Sequence, residues 1–269
     1  MNNAAPPGLG RTFREQLMVQ RRVIGALLMR EMLTRYGRRN IGFLWLFAEP
    51  MMVTVIVAAI WTSRGLHQYS DIPIVAFVIT GYSGIQLWRN MSRRCINAID
   101  PNRAMLSHRP VKMLDIYLAR MLLEVAGVTT SFVFLCVLFP AFSNQISPPE
   151  DILKVAFSWG LFVWFSMGLS LTLGALSELT GLVEKFWPPV VFILYPISGA
   201  MVLVDGLPHG MKEVILHIPL VHVNEMLRDG FFGSHFVAHY DLSYLMSWCL
   251  GLSIFGLGLS YLTVEHRLS

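Results

Sequence analysis

The chain has 269 residues, 54% of them hydrophobic and only 14% charged, with a mean hydropathy of +0.54; soluble domains carry roughly 25% charged residues, so a water-soluble globular fold is excluded. A formal charge of +4 and a pI near 9.1 do not indicate nucleic acid, because the basic residues cluster beside apolar runs, the pattern that orients a protein in a membrane. Cys95, Cys136 and Cys249 lie far apart and form no CxxC, which excludes a disulfide framework and a cysteine metal site.

Residues 1–12 are polar and rich in Pro and Gly, without the apolar core of a cleavable signal peptide. Phe13, Leu17, Ile24, Leu27 and Leu28 then fall on one helical stripe, with Arg11, Arg22 and Arg30 away from it. This predicts an amphipathic helix lying in the membrane interface, or a plain anchor for the first span. The chain divides into a cytoplasmic arm over 1–40 and a transmembrane unit over 41–269. A spanning helix needs about 20 mostly apolar residues, and six segments meet or approach that: 43–61, 72–88, 121–139, 153–176, 188–204 and 242–264. The fifth begins "PPVVFILYP" and runs into a Pro/Gly-rich stretch. That predicts broken or re-entrant helices before the last span, tolerated only where protein or a water-filled cavity covers them. The fold expected is an all-α integral membrane protein with six transmembrane helices. Of the 21 Lys and Arg, all but Arg64, Lys154, Lys212 and Arg228 fall on the side of the N-terminal arm, which places both termini in the cytoplasm.

Catalytic motifs are missing. Gly never precedes Lys, so there is no GxxxxGK[ST] to hold a nucleotide, and neither GxSxG nor HExxH occurs. His217, His222 and Glu225 lie close together, but without a second cluster they suit capping and head-group contacts better than a metal. Neither metal nor cofactor is expected in this chain. The spans carry little charge and offer no string of buried acids for a proton or sodium relay. Energy for any transport must then come from elsewhere. In "DPNRAMLSHRPVKMLDIYLARMLLE" (100–124), Met105, Leu106, Val111, Met113 and Leu114 interleave with Asn102, Arg103, His108 and Arg109. The segment fits a short interfacial helix with a polar outer face, or a solvated basic loop.

Two stretches carry a family resemblance. "REMLTRYGRRNIGFLWLFAEP" (30–50) resembles the opening motif of type-2 ABC exporter permeases, approximately RE-x-x-x-RY followed by (L/I)GxLW-x-x-x-x-P. "YPISGAMVLVDGLPHGMKEVILHIPLVHVNEMLRDG" (195–230) resembles the closing signature of the same family, with Ile218 where an Asn usually precedes the Pro. With "NRAMLSHRPVKMLDIYLARMLLE", "SELTGLVEKFWPPVVF" and "EMLRDGFFG", the detail is most similar to the inner-membrane permeases of capsular polysaccharide exporters, the KpsM, CtrC and BexB type.

The resemblance implies a homodimer in the bacterial inner membrane, each copy paired with a separate ATP-binding-cassette subunit that binds ATP and Mg. It implies a periplasmic co-polymerase-type adapter and a lipid-linked acidic polysaccharide as cargo. Permeases for O-antigen or teichoic acid share the fold, and small-molecule or lipid type-2 exporters are a more distant alternative. The arm becomes the gate helix, and Asn102, Arg103, Arg109 and Lys112 mark the segment that couples to the ATPase. Arg35, Arg38 and Arg39 are placed to capture the anionic end of the cargo, since guanidinium groups grip phosphate and carboxylate bidentately; orientation and general lipid contact is the plainer role. Glu49, ~10 Å into the first span, is costly there unless paired, so it is expected to meet an arginine or face the dimer axis. Trp45, Phe47, Phe192 and Tyr195 are candidates for a sugar path, although aromatic residues at span ends ordinarily form an interfacial belt.

Overall fold

A computed structural model describes residues 13–36, 41–65, 68–69, 72–106, 111–142 and 148–268. Helix α1 (Phe13–Tyr36) is followed by α2 (Ile41–Ser63), a two-residue hairpin pairing Gln68–Tyr69 with Ile72–Pro73, and α3 (Ile74–Cys95). A 3-10 turn (Asp100–Asn102) and the short α4 (Arg103–Leu106) lead into α5 (Met113–Phe142) and α6 (Ile152–Thr180). Then come α7 (Val183–Ile197), α8 (His209–Ile215), α9 (Pro219–Phe232) and α10 (Leu242–Leu268).

Among the described residues, four helices are long and apolar enough to cross a membrane: Leu44–Ser63 in α2, Met113–Pro140 in α5, Ile152–Thr180 in α6 and Leu242–Thr263 in α10. They match the expected first, third, fourth and sixth spans, with α5 beginning at Met113 rather than at 121. Large apolar side chains such as Ile56, Val137, Ile254 and Tyr261 stand exposed on their outer faces.

The other two expected spans differ, each for a physical reason. Segment 72–88 begins in the hairpin and enters α3 at Ile74; the helix runs on to Cys95 and buries Thr80, Ser83, Gln86 and Ser92 among its apolar residues. This helix packs against α2, α5, α6 and α9; with protein around it, it has less need of an apolar surface than a lipid-facing helix. Segment 188–204 is not one helix. Its helix, α7, ends at Ile197, after Pro196, and the chain continues through Gly199 at φ +78 into irregular backbone up to Pro208, a left-handed conformation that glycine tolerates best.

Buried polar side chains of α3 and α5 bond to α2 on either side of Pro50. A helix-interior proline removes one backbone donor and strains the preceding turn. Gln86 Nε2 donates to the Pro50 carbonyl at 3.0 Å and to Thr54 Oγ1 at 2.9 Å, while Ser131 Oγ donates to the Phe47 carbonyl at 2.6 Å. Farther in, α3 and α6 run parallel, with Ser92 Oγ 3.3 Å from Ser170 Oγ and the Asn97 N–H donating to Ser177 Oγ at 3.4 Å. Along α6 and α10, Trp164 donates to Ser253 Oγ and Thr172 to the Leu252 carbonyl, at 3.0 and 3.1 Å. Small and hydroxyl residues of this kind let helices approach closely in an apolar solvent that gives no hydrophobic drive.

Candidate functional site

Charge gathers where α1 crosses the start of α5 and the end of α3. Gln20 bonds Asp115, Glu31 meets Arg120 at 3.3 Å, and Arg35 pairs with Glu124. These contacts climb α1 and α5 in the same order, so the two helices run side by side in one direction. From α3, Arg94 reaches the same Glu124 carboxylate at 3.4 Å, and Arg120 Nη1 donates to the Arg94 carbonyl at 2.7 Å. Asp115 also accepts the Lys112 N–H at 2.8 Å, the backward reach of an N-terminal capping box. A carboxylate as buried as Glu124, 7% exposed, is tolerated because two guanidinium groups converge on it.

Behind this clasp lies a narrow cavity of about 60 Å³, lined by Arg35, Glu49, Asn90, Arg93, Arg94 and Glu124. Arg35 lines this cavity with its guanidinium paired to Glu124, while Arg38 and Arg39 lie outside the described residues. Glu49 faces it too, exposed, and forms no salt bridge with a described residue; the carboxylate that Arg35 takes is Glu124.

The remaining expected residues are dispersed. Asn102 is buried: its amide donates to the Ala98 carbonyl at 2.8 Å and its oxygen accepts from Arg30, so it fastens α1 to the end of α3. Arg103 is exposed and pairs with Asp100 at 2.8 Å, Lys112 is exposed, and Arg109 lies outside the described residues. Trp45 and Phe192, 50% and 82% exposed, face outward from α2 and α7. Phe47 is half-buried, and Tyr195 meets Tyr82 edge-on with centroids 6.2 Å apart. The helical stripe of the arm is only partly used: Leu27 is buried and Ile24 and Leu28 are half-buried, but Phe13 and Leu17 are exposed.

At the opposite end, α9 holds the break after α7. A chain that leaves its helix away from water orphans backbone carbonyls. The fully buried Arg228 covers them, donating from Nη1 to Gly199 and from Nη2 to Ala200, both at 2.6 Å, with its guanidinium 4.1 Å from the Phe77 ring centroid. Asn224 Nδ2 donates to the Ser198 carbonyl at 2.8 Å, and Glu225 accepts the His239 N–H at 3.1 Å. His222 donates from Nε2 to the Leu216 carbonyl at 2.7 Å and accepts the Asp241 N–H on Nδ1 at 2.8 Å. Both ring nitrogens are therefore engaged by backbone, and His217 Nδ1 lies 2.8 Å from the Glu213 carbonyl of its own turn. Farther out, His239 Nε2 and Lys212 Nζ lie 3.0 and 3.6 Å from Asp205. The hydrogen bond from His239, aided by the Lys212 charge, holds the Asp205 carboxyl below its ordinary value of 3.8.

Sequence reasoning missed Glu124, Glu31, Arg94 and Arg120 as a frame, and Asn224 and Arg228 as backbone clamps. The signal for Glu124 was present: a lone acid inside the 121–139 apolar run is as anomalous as Glu49. The role of Arg228 had no local signal, because its partners lie 28 and 29 residues away.

Residues 22–232 match the ABC-2 type transporter family. The chain is 42% identical over 248 residues to the capsule polysaccharide export inner-membrane protein CtrC of Neisseria meningitidis serogroup B, covering 92% of this chain and 93% of that protein. It is 39% identical over 247 residues to the capsule polysaccharide export inner-membrane protein BexB of Haemophilus influenzae, covering 91% and 92%. The polysialic acid transport protein KpsM of Escherichia coli is 28% identical over 255 residues, covering 95% and 98%.

Proposed function

The chain belongs to the ABC-2 type transporter family, and from that premise we propose that it is the membrane permease of an ATP-driven exporter carrying lipid-linked acidic capsular polysaccharide across the bacterial inner membrane. The observation that carries this reading is the 42% identity to a capsule export protein over nearly the full length of both chains. A transporter subunit of this kind is not itself an enzyme. Hydrolysis of ATP, with its Mg, belongs to a separate ATP-binding-cassette subunit, and two copies of the permease form the pathway with a periplasmic adapter above it.

In this reading all six apolar segments cross or enter the membrane. The central α3 supplies the second crossing, and α7 with the Arg228-clamped break, α8 and α9 supplies the fifth and its re-entrant return. Both termini lie in the cytoplasm. Helix α1 is the gate, and its clasp on α5 and α3 through Glu124 joins it to the segment 102–112 that meets the ATPase. Exposed Arg103 serves that contact directly, whereas Asn102 serves it by holding the segment to α1. Arg35, with Arg38 and Arg39, receives the anionic end of the cargo. Removing the gene from its source cell should strip polysaccharide from the surface and leave lipid-linked polymer inside, with the wild-type chain restoring export. A normal capsule in the deletion strain overturns the reading.

A further inference from the structure

The arginines around the ends of α1, α3 and α5 differ in what they hold. Arg35, Arg94, Arg103 and Arg120 each hold a carboxylate, and Arg30 bonds Asn102. Arg89 and Arg93, one turn apart on α3, form no ion pair with a described carboxylate; Arg89 makes a 3.4 Å contact to the neighbouring Asn90 amide oxygen. Both instead line a cleft of about 650 Å³ between the end of α3 and the start of α7, together with Asn97, Glu184, Trp187 and Pro188.

Two of the lining residues are held by their neighbours. Trp187 packs edge-on against the fully buried Trp88, with centroids 6.2 Å apart, so its indole is held at the wall. Asn97 stands at φ 55, a left-handed conformation that Asn tolerates better than most residues, and its N–H is bonded to Ser177. The chemistry is mixed in a particular way. Two guanidinium groups suit a phosphate or carboxylate, a fixed indole suits the flat apolar face of a pyranose ring, and an amide with one carboxylate suits hydroxyls. A cleft of this size with a few convergent polar groups has the character of a ligand site.

We propose that the cleft between α3 and α7 binds a phosphorylated sugar, the head of the lipid-linked glycan. This rests on the exporter reading and adds Arg89 and Arg93 to it, Arg93 bordering both this cleft and the cavity that Arg35 faces. A membrane phospholipid offers the same phosphate without the ring, so the test must separate the two sources. The protein, assembled with its ATPase subunit in phosphatidylcholine nanodiscs, is titrated calorimetrically with N-acetylglucosamine 1-phosphate and, separately, with inorganic phosphate.

The phosphosugar should bind more tightly than phosphate. Arg89→Gln with Arg93→Gln should weaken both ligands by about tenfold or more, the scale of a lost charged hydrogen bond. Trp187→Leu should weaken the phosphosugar several-fold and leave phosphate unchanged, and Arg89→Lys should retain part of the affinity, a pattern that a merely misfolded variant does not give. Equal affinity in wild type and variants overturns the proposal. So does loss of phosphosugar binding when phosphatidylglycerol replaces half the phosphatidylcholine, which assigns the cleft to lipid head groups. If the wild-type chain exports polysaccharide while these affinities fail to respond, only the cleft assignment falls; if it does not export, the exporter reading falls whatever binds.

Discussion

Glu124 is the residue on which the basic end turns, because it is the common partner of Arg35 on α1 and Arg94 on α3. Removing one member of a buried ion pair leaves the other charge desolvated and unmatched, whereas replacing both with apolar groups is often nearly neutral. Glu124→Gln should therefore lower stability by about 3 kcal/mol, read by denaturant unfolding in detergent, and the pair Arg35→Met with Glu124→Leu should recover much of that loss while still impairing export. If the double variant is no more stable than Glu124→Gln, the clasp is not what holds α1. Asp205 gives a second prediction at this scale. Its folded pKa lies below the ordinary 3.8, so its ties to His239 and Lys212 stabilise the fold at pH values above the ordinary range and are lost as pH falls through the lowered value. A carbon-detected NMR titration should place the Asp205 midpoint below 3.8, moving back toward it in His239→Ala; an unchanged midpoint in that variant assigns the shift elsewhere.

Among the elements, the contrast between α3 and α7 shows what hydropathy can and cannot disclose. The four helices α2, α5, α6 and α10 were legible because their apolar length is set by the membrane. Segment 72–88 was legible as a helix, but its central position was not, since the polar residues that suit a protein-lined helix lower the very signal used to find spans. The break after α7 was legible from its Pro and Gly residues, yet its clamp was not, because Arg228 meets carbonyls distant in sequence. Gly81 on α3 makes the clamp possible: a Cβ there would lie 2.3 Å from the Ala200 carbonyl oxygen and 2.7 Å from Arg228 Nη2. Both neighbours are fixed, one of them backbone, so Gly81→Ala should destabilise by about 1–3 kcal/mol as overpacking does. The same variant should raise cysteine labelling at position 214, which is already 68% exposed, only slightly, but should newly expose a cysteine placed at Val204, which is 1% exposed. Unaltered labelling at 204 shows that the break does not depend on this close approach.

For the whole molecule, the arrangement joins two ends with different tasks. At one, a charged clasp fixes a surface helix to the bundle beside a cavity and a basic cleft; at the other, buried polar side chains hold an interrupted helix together. The charge of the first was legible beside apolar sequence, and Arg35 and Glu49 line one cavity, but the expected pairing of Glu49 with an arginine is not seen among the described residues. The partner that completes it, Glu124, was hidden by a separation of 89 residues, a relation that only folding reveals. A chain with no nucleotide loop and the ABC-2 type transporter family's sequence should move polymer only when its ATPase partner hydrolyses ATP. The decisive experiment is reconstitution of permease and ATPase in vesicles with the ATPase outward, supplied with fluorescent lipid-linked acidic polysaccharide. ATP should carry the polymer into the lumen, protected from added glycanase, and Arg35→Gln should abolish protection while the complex stays assembled. Polymer that remains fully accessible to glycanase while ATP is hydrolysed at the wild-type rate contradicts the assignment.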